Sequence, residues 1–256
     1  MAGKQIAQRT PDGVPYLLYL PPKHLSAPLW PLLLCLHGAG ELGRDVRQLL
    51  SEGATGLPAH RLQQPPPPIY VGEIATPAAL SERFVVVSPQ TSRGWRARDI
   101  AAFTRAISQD ARLRIDASRR FVTGVSMGGA GAIAAASTGL FAAAVPVCAT
   151  GGDASAIGDD TAVWFFHGAN DVVVGIEHSD SAHALLARRR AGRPGSAGLK
   201  YTQFEHAPAP VGWPSYEGHA SWIPAFSTAE LYDWLLALPH KTGDDRLGAT
   251  ARAPRP

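Results

Sequence analysis

Seven short apolar runs punctuate the chain, at residues 16–20, 31–37, 83–88, 120–125, 142–148, 162–168 and 199–205. Runs such as "RFVVVS" and "AVWFFHG" are almost continuously apolar, the pattern of strands covered on both faces rather than one. Helical segments fall between and after them at about residues 99–113, 127–139, 179–190 and 226–237. The expected architecture is therefore α/β: a mainly parallel central sheet with helices on both faces. With 256 residues, 45% of them hydrophobic, one such sheet accounts for the chain as a single domain. The expected division is an N-terminal extension over residues 1–13, the α/β domain over 14–239, and a polar tail without periodicity, read as disordered, over 240–256.

The connection between Gly40 and Phe84 is long and contains "QQPPPPIY" at residues 63–70. Each proline there removes an N–H and fixes φ, so the stretch is read as a rigid surface loop. The formal net charge is +3, with arginines scattered among acids and no run of five like charges, which argues against nucleic acid as the main partner. Arg188 to Arg190 form the densest basic patch and read as a solvated helix end. The two cysteines, Cys35 and Cys148, lie in the apolar runs "LLLCLH" and "AAAVPVCAT" and are expected as free buried thiols. No apolar leader core precedes the domain and no stretch approaches 18 consecutive apolar residues, so no membrane span is expected. As the sequence stands, the expected compartment is the cytoplasm, with secretion only if a leader has been removed.

"FVTGVSMGGAGAIAAA", residues 121–136, sets Gly124, Ser126 and Gly128 in a G-x-S-x-G pattern between a β-branched run and an alanine-rich one. The pentapeptide alone is a weak signal, and its context raises it. A strand that turns straight into a helix leaves no room for side chains two residues either side of the serine, and it forces the serine into a strained conformation that exposes Oγ. The helix start adds free N–H groups and partial positive charge where an oxyanion would develop. The plainer reading is a serine N-cap with glycines for close packing.

A serine hydroxyl is a poor nucleophile at neutral pH and needs a base and an orienting acid. Asp171 follows the run "AVWFFHG" in a loop with Gly168 and Asn170, and is the candidate acid. Two histidines compete for the base. His219, in "WPSYEGHASWIP", is preferred over His206, in "FEHAPAP", because two prolines follow His206 and no glycine frees its backbone. The order Ser126, Asp171, His219, each after an expected strand, is the order of the α/β-hydrolase fold.

"LLLCLHGAGE", "FVVVSPQ" with Trp95 beyond it, "RIDASRRFVTGVSMGGAGA", "VWFFHGANDVVV" and "GHASW" together resemble the α/β-hydrolase esterases grouped with polyhydroxybutyrate-depolymerase-like, feruloyl-esterase-like and "predicted peptidase" proteins. The resemblance spans roughly residues 14–238. It implies Ser126 as nucleophile, Asp171 as acid, His219 as base, and the backbone amides of Ala39 and Met127 as the oxyanion hole. One departure is the segment "HAPAPVGWPSYEG", which is longer than the usual approach to the catalytic histidine. His37 is then a loop-anchoring residue, and Glu41 has no assigned task.

The reaction so implied is hydrolysis of a carboxylic ester through an acyl-enzyme, needing no metal or organic cofactor; the histidines show no H-E-x-x-H or paired Cys/His spacing. The substrate is expected to be a small-molecule or polymeric ester. Only about 14 residues join the runs ending at Cys148 and starting at Ala162, too few for a large cap domain, so an open cleft is expected. Trp95, Trp213, Tyr216 and Trp222 are the candidate aromatic walls for bulky or aryl groups, against packing under a long loop as the alternative. A serine peptidase or thioesterase could use the same triad, and a non-catalytic binding module could reuse the fold. The sequence sets neither the acyl preference nor the oligomeric state.

Overall fold

The computed structural model describes residues 3–50, 77–210 and 212–241. Its middle is the segment "WPLLLCL", strand β3 (Trp30–Leu36), in which every residue is buried. Leu32, Leu34 and Leu36 enter one core and Leu33 and Cys35 the other, so this strand is apolar on both faces because both are covered. Around it run β1 (Gln5–Arg9), β2 (Pro15–Tyr19), β4 (Val85–Pro89), β5 (Ile115–Val125), β6 (Ala143–Val147), β7 (Ala162–Gly168) and β8 (Leu199–Phe204), in the order β1-β2-β4-β3-β5-β6-β7-β8. Pairing is parallel from β4 through β8, and β1 and β2 are antiparallel at one edge.

Helices α2 (Ala97–Ser108), α3 (Met127–Ala136) and α4 (Glu177–Arg190) cover one face, packing Ile100, Phe103, Ile133 and Leu186 against Leu34, Val122 and Phe165. On the other face, α1 (Ala78–Arg83), α5 (Trp222–Ser227) and α6 (Ala229–Ala237) bring Leu80, Phe226, Leu231 and Tyr232 onto Phe84, Phe121 and Phe166. Parallel strands joined by helices send every β5, β6 and β7 C-terminus to the same edge of the sheet.

All seven expected strands are present. Three elements escape the sequence reading. β1 has only Ile6 and Ala7 as apolar residues and is a half-exposed edge strand within the segment read as an extension; its register, Ile6 on Leu18, ties it to the sheet. α1 falls in the long connection before Phe84. The expected last helix is two, α5 and α6, because Thr228 is extended between them.

Arg188 to Arg190 end α4 as expected, but Arg190 is buried, not solvated. It donates to the carbonyls of Ala197, Gly158 and Thr161, while Arg189 donates to Ser155, Ile157 and Asp159. Guanidinium forks meet carbonyls that would otherwise lie unpaired where the loop packs on the helix. Cys35 and Cys148 are free and buried. The connection at residues 149–161 holds one 3-10 turn, Ala154–Ala156, and no cap. The proline-rich stretch 63–70 and the tail from residue 242 lie outside the described residues; His240 and Lys241 are described, and Lys241 Nζ donates to Phe141 O and Thr161 Oγ1. Among the described residues no helix is long and apolar enough to cross a membrane.

Candidate active site

Ser126 stands at the end of β5 with φ 58° and ψ −115°, a conformation that L-residues with a side chain rarely adopt. The flanking glycines make that turn possible. A Cβ on Gly124 would overlap the Gly128 carbonyl, and one on Gly128 would overlap the carbonyl oxygen of Leu36, so the start of α3 presses directly on β5 and on the end of β3. The serine side chain makes no capping hydrogen bond to the helix it precedes, which removes the N-cap reading. Its backbone is held instead: Ser126 N–H donates to Val147 O at 2.9 Å, and Ala130 and Thr150 N–H groups donate to Ser126 O.

The turn after β3 lies beside this helix start. His37 is fully buried, accepts at Nε2 from Thr91 N–H (3.0 Å), donates from Nδ1 to Gly38 O (2.7 Å), and takes the Trp95 indole N–H on its own carbonyl (2.9 Å). Burial, opposed by the Gly38 bond and the nearby Glu41 charge, lowers its pKa below the usual histidine value. His37 therefore anchors the loop, as expected. Ala39 opens a 3-10 turn, Ala39–Glu41, and Met127 opens α3; at both positions the N–H has no acceptor inside its own helical turn. Glu41, buried, sits where its charge acts on both His37 and Tyr216.

Asp171 and His219 are brought together. His219 Nδ1 donates to Asp171 Oδ2 at 2.8 Å, with both side chains buried. The other carboxylate oxygen, Oδ1, accepts the amides of Val173 and Val174 at 2.9 Å each. Burial would raise the Asp171 pKa, but hydrogen bonds from His167, His219 and Val174 outweigh it and hold the carboxyl well below the ordinary carboxylate range. Burial likewise would lower His219, yet the Asp171 hydrogen bond and the neighbouring Cys148 thiol raise it above the usual value. Since Cys148 follows the Val147 carbonyl that binds Ser126 N–H, serine and histidine both converge on the turn after β6.

The approach of the two loops is a matter of two glycines. Gly218 has φ 77°, and a Cβ there would overlap the Asn170 carbonyl; a Cβ on Gly168 would overlap the Gly218 carbonyl. The long segment before His219 is stitched down by Asn170 Oδ1 accepting from Ala207 N–H and by Glu217 Oε2 accepting from Ala209 N–H. His206 does not reach Asp171. Its side chain is 65% exposed and pairs with Glu217 at 3.2 Å.

The four aromatic candidates divide. Trp213, at the surface, stacks on Tyr216, and Tyr216 on the His219 ring at 6.0 Å. Trp222 is 3% exposed and packs edge-on against His219 from the core, which takes it out of any substrate wall: a side chain with so little open surface holds its neighbour rather than a ligand. Trp95 is tied to His37 and packs over Gly131, and it lines a cavity of about 480 Å³ beside the β4–α2 connection. The sequence reading passed over His167, whose place four residues before Asp171 in "HGAND" was the available signal. Among the described residues no group of three His, Cys, Asp or Glu side chains is spaced to hold a metal ion.

The fold, an eight-stranded sheet in the order β1-β2-β4-β3-β5-β6-β7-β8, recurs in solved structures. A thermostable esterase superposes with a TM-score of 0.69 at 27% identity, covering 92% of this chain and 62% of that one. The chain has the α/β-hydrolase fold. The chain also matches a puromycin-hydrolyzing peptidase of Mycobacterium tuberculosis (TM-score 0.60, 18% identity, 92% of this chain and 40% of that one). A Klebsiella pneumoniae protein described as a dienelactone hydrolase matches with a TM-score of 0.58 at 12% identity, over 91% of this chain and 99% of that one. The chain thus spans about three fifths of the esterase and less of the peptidase. No family model and no curated protein gives a match.

Proposed function

We propose that the protein is a serine carboxylic-ester hydrolase with Ser126 as nucleophile, His219 as general base and Asp171 as its orienting acid. The observation that carries the reading is the 2.8 Å hydrogen bond from His219 to a buried, fully hydrogen-bonded Asp171, on the same sheet edge as a strained serine that caps nothing. His219 Nε2 takes the Ser126 proton as Oγ attacks the ester carbonyl, and Asp171 holds the imidazole tautomer and stabilises the imidazolium. The Ala39 and Met127 amides receive the tetrahedral oxyanion, each worth about 3 kcal/mol in comparable chemistry. As the carbon–oxygen bond to the alcohol breaks, the imidazolium returns the proton to the leaving oxygen. Water, deprotonated by His219, then attacks the acyl carbon and restores Ser126 while releasing the acid. No metal or organic cofactor takes part in these steps.

Ester is preferred over amide because a neighbour at 27% identity is an esterase, whereas two peptidases among the neighbours match at 18% and 11%. The exposed Trp213, stacked on Tyr216 and through it on His219, supports a bulky or aryl group beside the base. Labelling of the folded protein with a fluorophosphonate is the test. Modification of Ser126, abolished in Ser126→Ala, is expected; an unlabelled Ser126 would leave a non-catalytic binding module on a hydrolase fold. Rates on matched ester, thioester and amide substrates then separate esterase from thioesterase and peptidase.

A further inference from the structure

Asp171 carries more hydrogen bonds than an orienting acid requires. Besides His219 and the two valine amides, a second histidine reaches it: His167 Nε2 lies 3.2 Å from Asp171 Oδ2 and 3.0 Å from Val174 O. Both neighbours are acceptors, so Nε2 carries a proton that is shared between them. The opposite ring nitrogen, Nδ1, is 2.8 Å from Ser179 Oγ in the first turn of α4, and the ring has no exposed surface. The histidine is thereby locked in one orientation with its N–H aimed at the oxygen that also accepts from His219. An oxygen that receives two donors holds each less strongly than it would hold one, because its charge is divided between them.

Resting on the triad assigned above, we propose that His167 is a positioning residue that fixes the Asp171 carboxylate and tempers its pull on His219. The requirement is chemical. Asp171 must orient the imidazole, but a carboxylate left with His219 alone on Oδ2 favours the imidazolium further, and an imidazolium cannot accept the serine proton. The burial of this site makes the matter acute, since charge interactions are strong where water is excluded. His167 supplies the counterweight from β7 itself, one helical turn's worth of sequence before the acid. The titratable groups facing the pair are Cys148 from the turn after β6 and Tyr216 from the last loop, both against His219, and His167 against Asp171; Glu41 acts on Tyr216 from the turn after β3.

The test is the pH dependence of kcat/KM on an aryl ester, and of Ser126 labelling by fluorophosphonate, in the full chain and four variants. His167→Leu removes the donor, and His167→Asn keeps a partner for Ser179 but is too short to reach Asp171; in both, the acid limb is expected to move to higher pH by about half a unit or more. His167→Gln restores a donor near the Nε2 position and should return the limb toward that of the parent. Ser179→Ala loosens the ring's other anchor and should move the limb in the same direction as His167→Leu, by less. If His167→Leu does not fold, His167→Asn and His167→Gln still give the comparison. A parent protein whose Ser126 is not labelled defeats the triad itself. Labelled variants whose limb coincides with the parent's defeat only the role given to His167.

Discussion

At the scale of single residues, the site depends on groups held where they would not rest alone. Ser126 is strained at φ 58°, a cost on the order of 1–3 kcal/mol that its neighbours impose. Ser126→Gly should therefore raise unfolding free energy, by about 1 kcal/mol or more, while abolishing hydrolysis; Ser126→Ala should abolish it without that gain. Chemical denaturation of the two variants checks this, and equal stabilities would contradict it. His219→Ala is expected to lower kcat by several orders of magnitude, whereas His206→Ala, altering an exposed side chain paired with Glu217, should stay within about tenfold. The pH sign follows from His219. Its pKa is raised by Asp171, and only the neutral ring accepts a proton, so activity should fall as pH drops through a midpoint above 6.5. A profile still flat at pH 5 would exclude His219 as base.

At the scale of elements, the decisive contact is loop on loop. The segment after β8 docks on the turn after β7 only because Gly168 and Gly218 have no side chains, and Gly218 also takes a left-handed conformation. Gly218→Ala is expected to destabilise the protein by more than about 1 kcal/mol and to lower kcat at least tenfold, since the new methyl overlaps the Asn170 carbonyl and pushes His219 from Asp171. Thermal melts with ester kinetics on the folded variant read both effects. A similar dependence holds at the start of α3, where Gly128 sits against the Leu36 and His37 carbonyls and brings the turn after β3 beside the start of α3.

At the scale of the molecule, two cores share one sheet. Phe165 is fully buried beneath α4 and Phe84 beneath α1 and α6, so each face keeps its own helices in place. Phe165→Ala should cost about 3–5 kcal/mol, and at roughly 2–4 °C per kcal/mol for a chain of this size the melting temperature should fall by roughly 6–20 °C. Ser126 labelling well below that temperature should persist, because the loops at the sheet edge are unchanged; loss of labelling in the cold would mean that site and core are coupled.

The strands were legible because burial on both faces writes itself into the chain as apolar runs, and the serine turn because its glycines and its helix are contiguous in sequence. Strand β1 was not: an edge strand with two apolar residues is stabilised by its partner's register, Ile6 on Leu18, rather than by its own pattern. The histidine segment could be ranked from prolines and a glycine, yet the 2.8 Å bond to Asp171 is a contact between residues 48 apart, created by the approach of Gly218 to Asn170. Trp222 and Trp213 look alike as loop aromatics, and only packing makes one a buried support and the other a surface ring. Thus the residue types, their order and the sheet were determined by local pattern. Which side chains touch Asp171, His167 among them, was decided by tertiary structure, because hydrogen bonds across loops depend on distances that no local pattern carries.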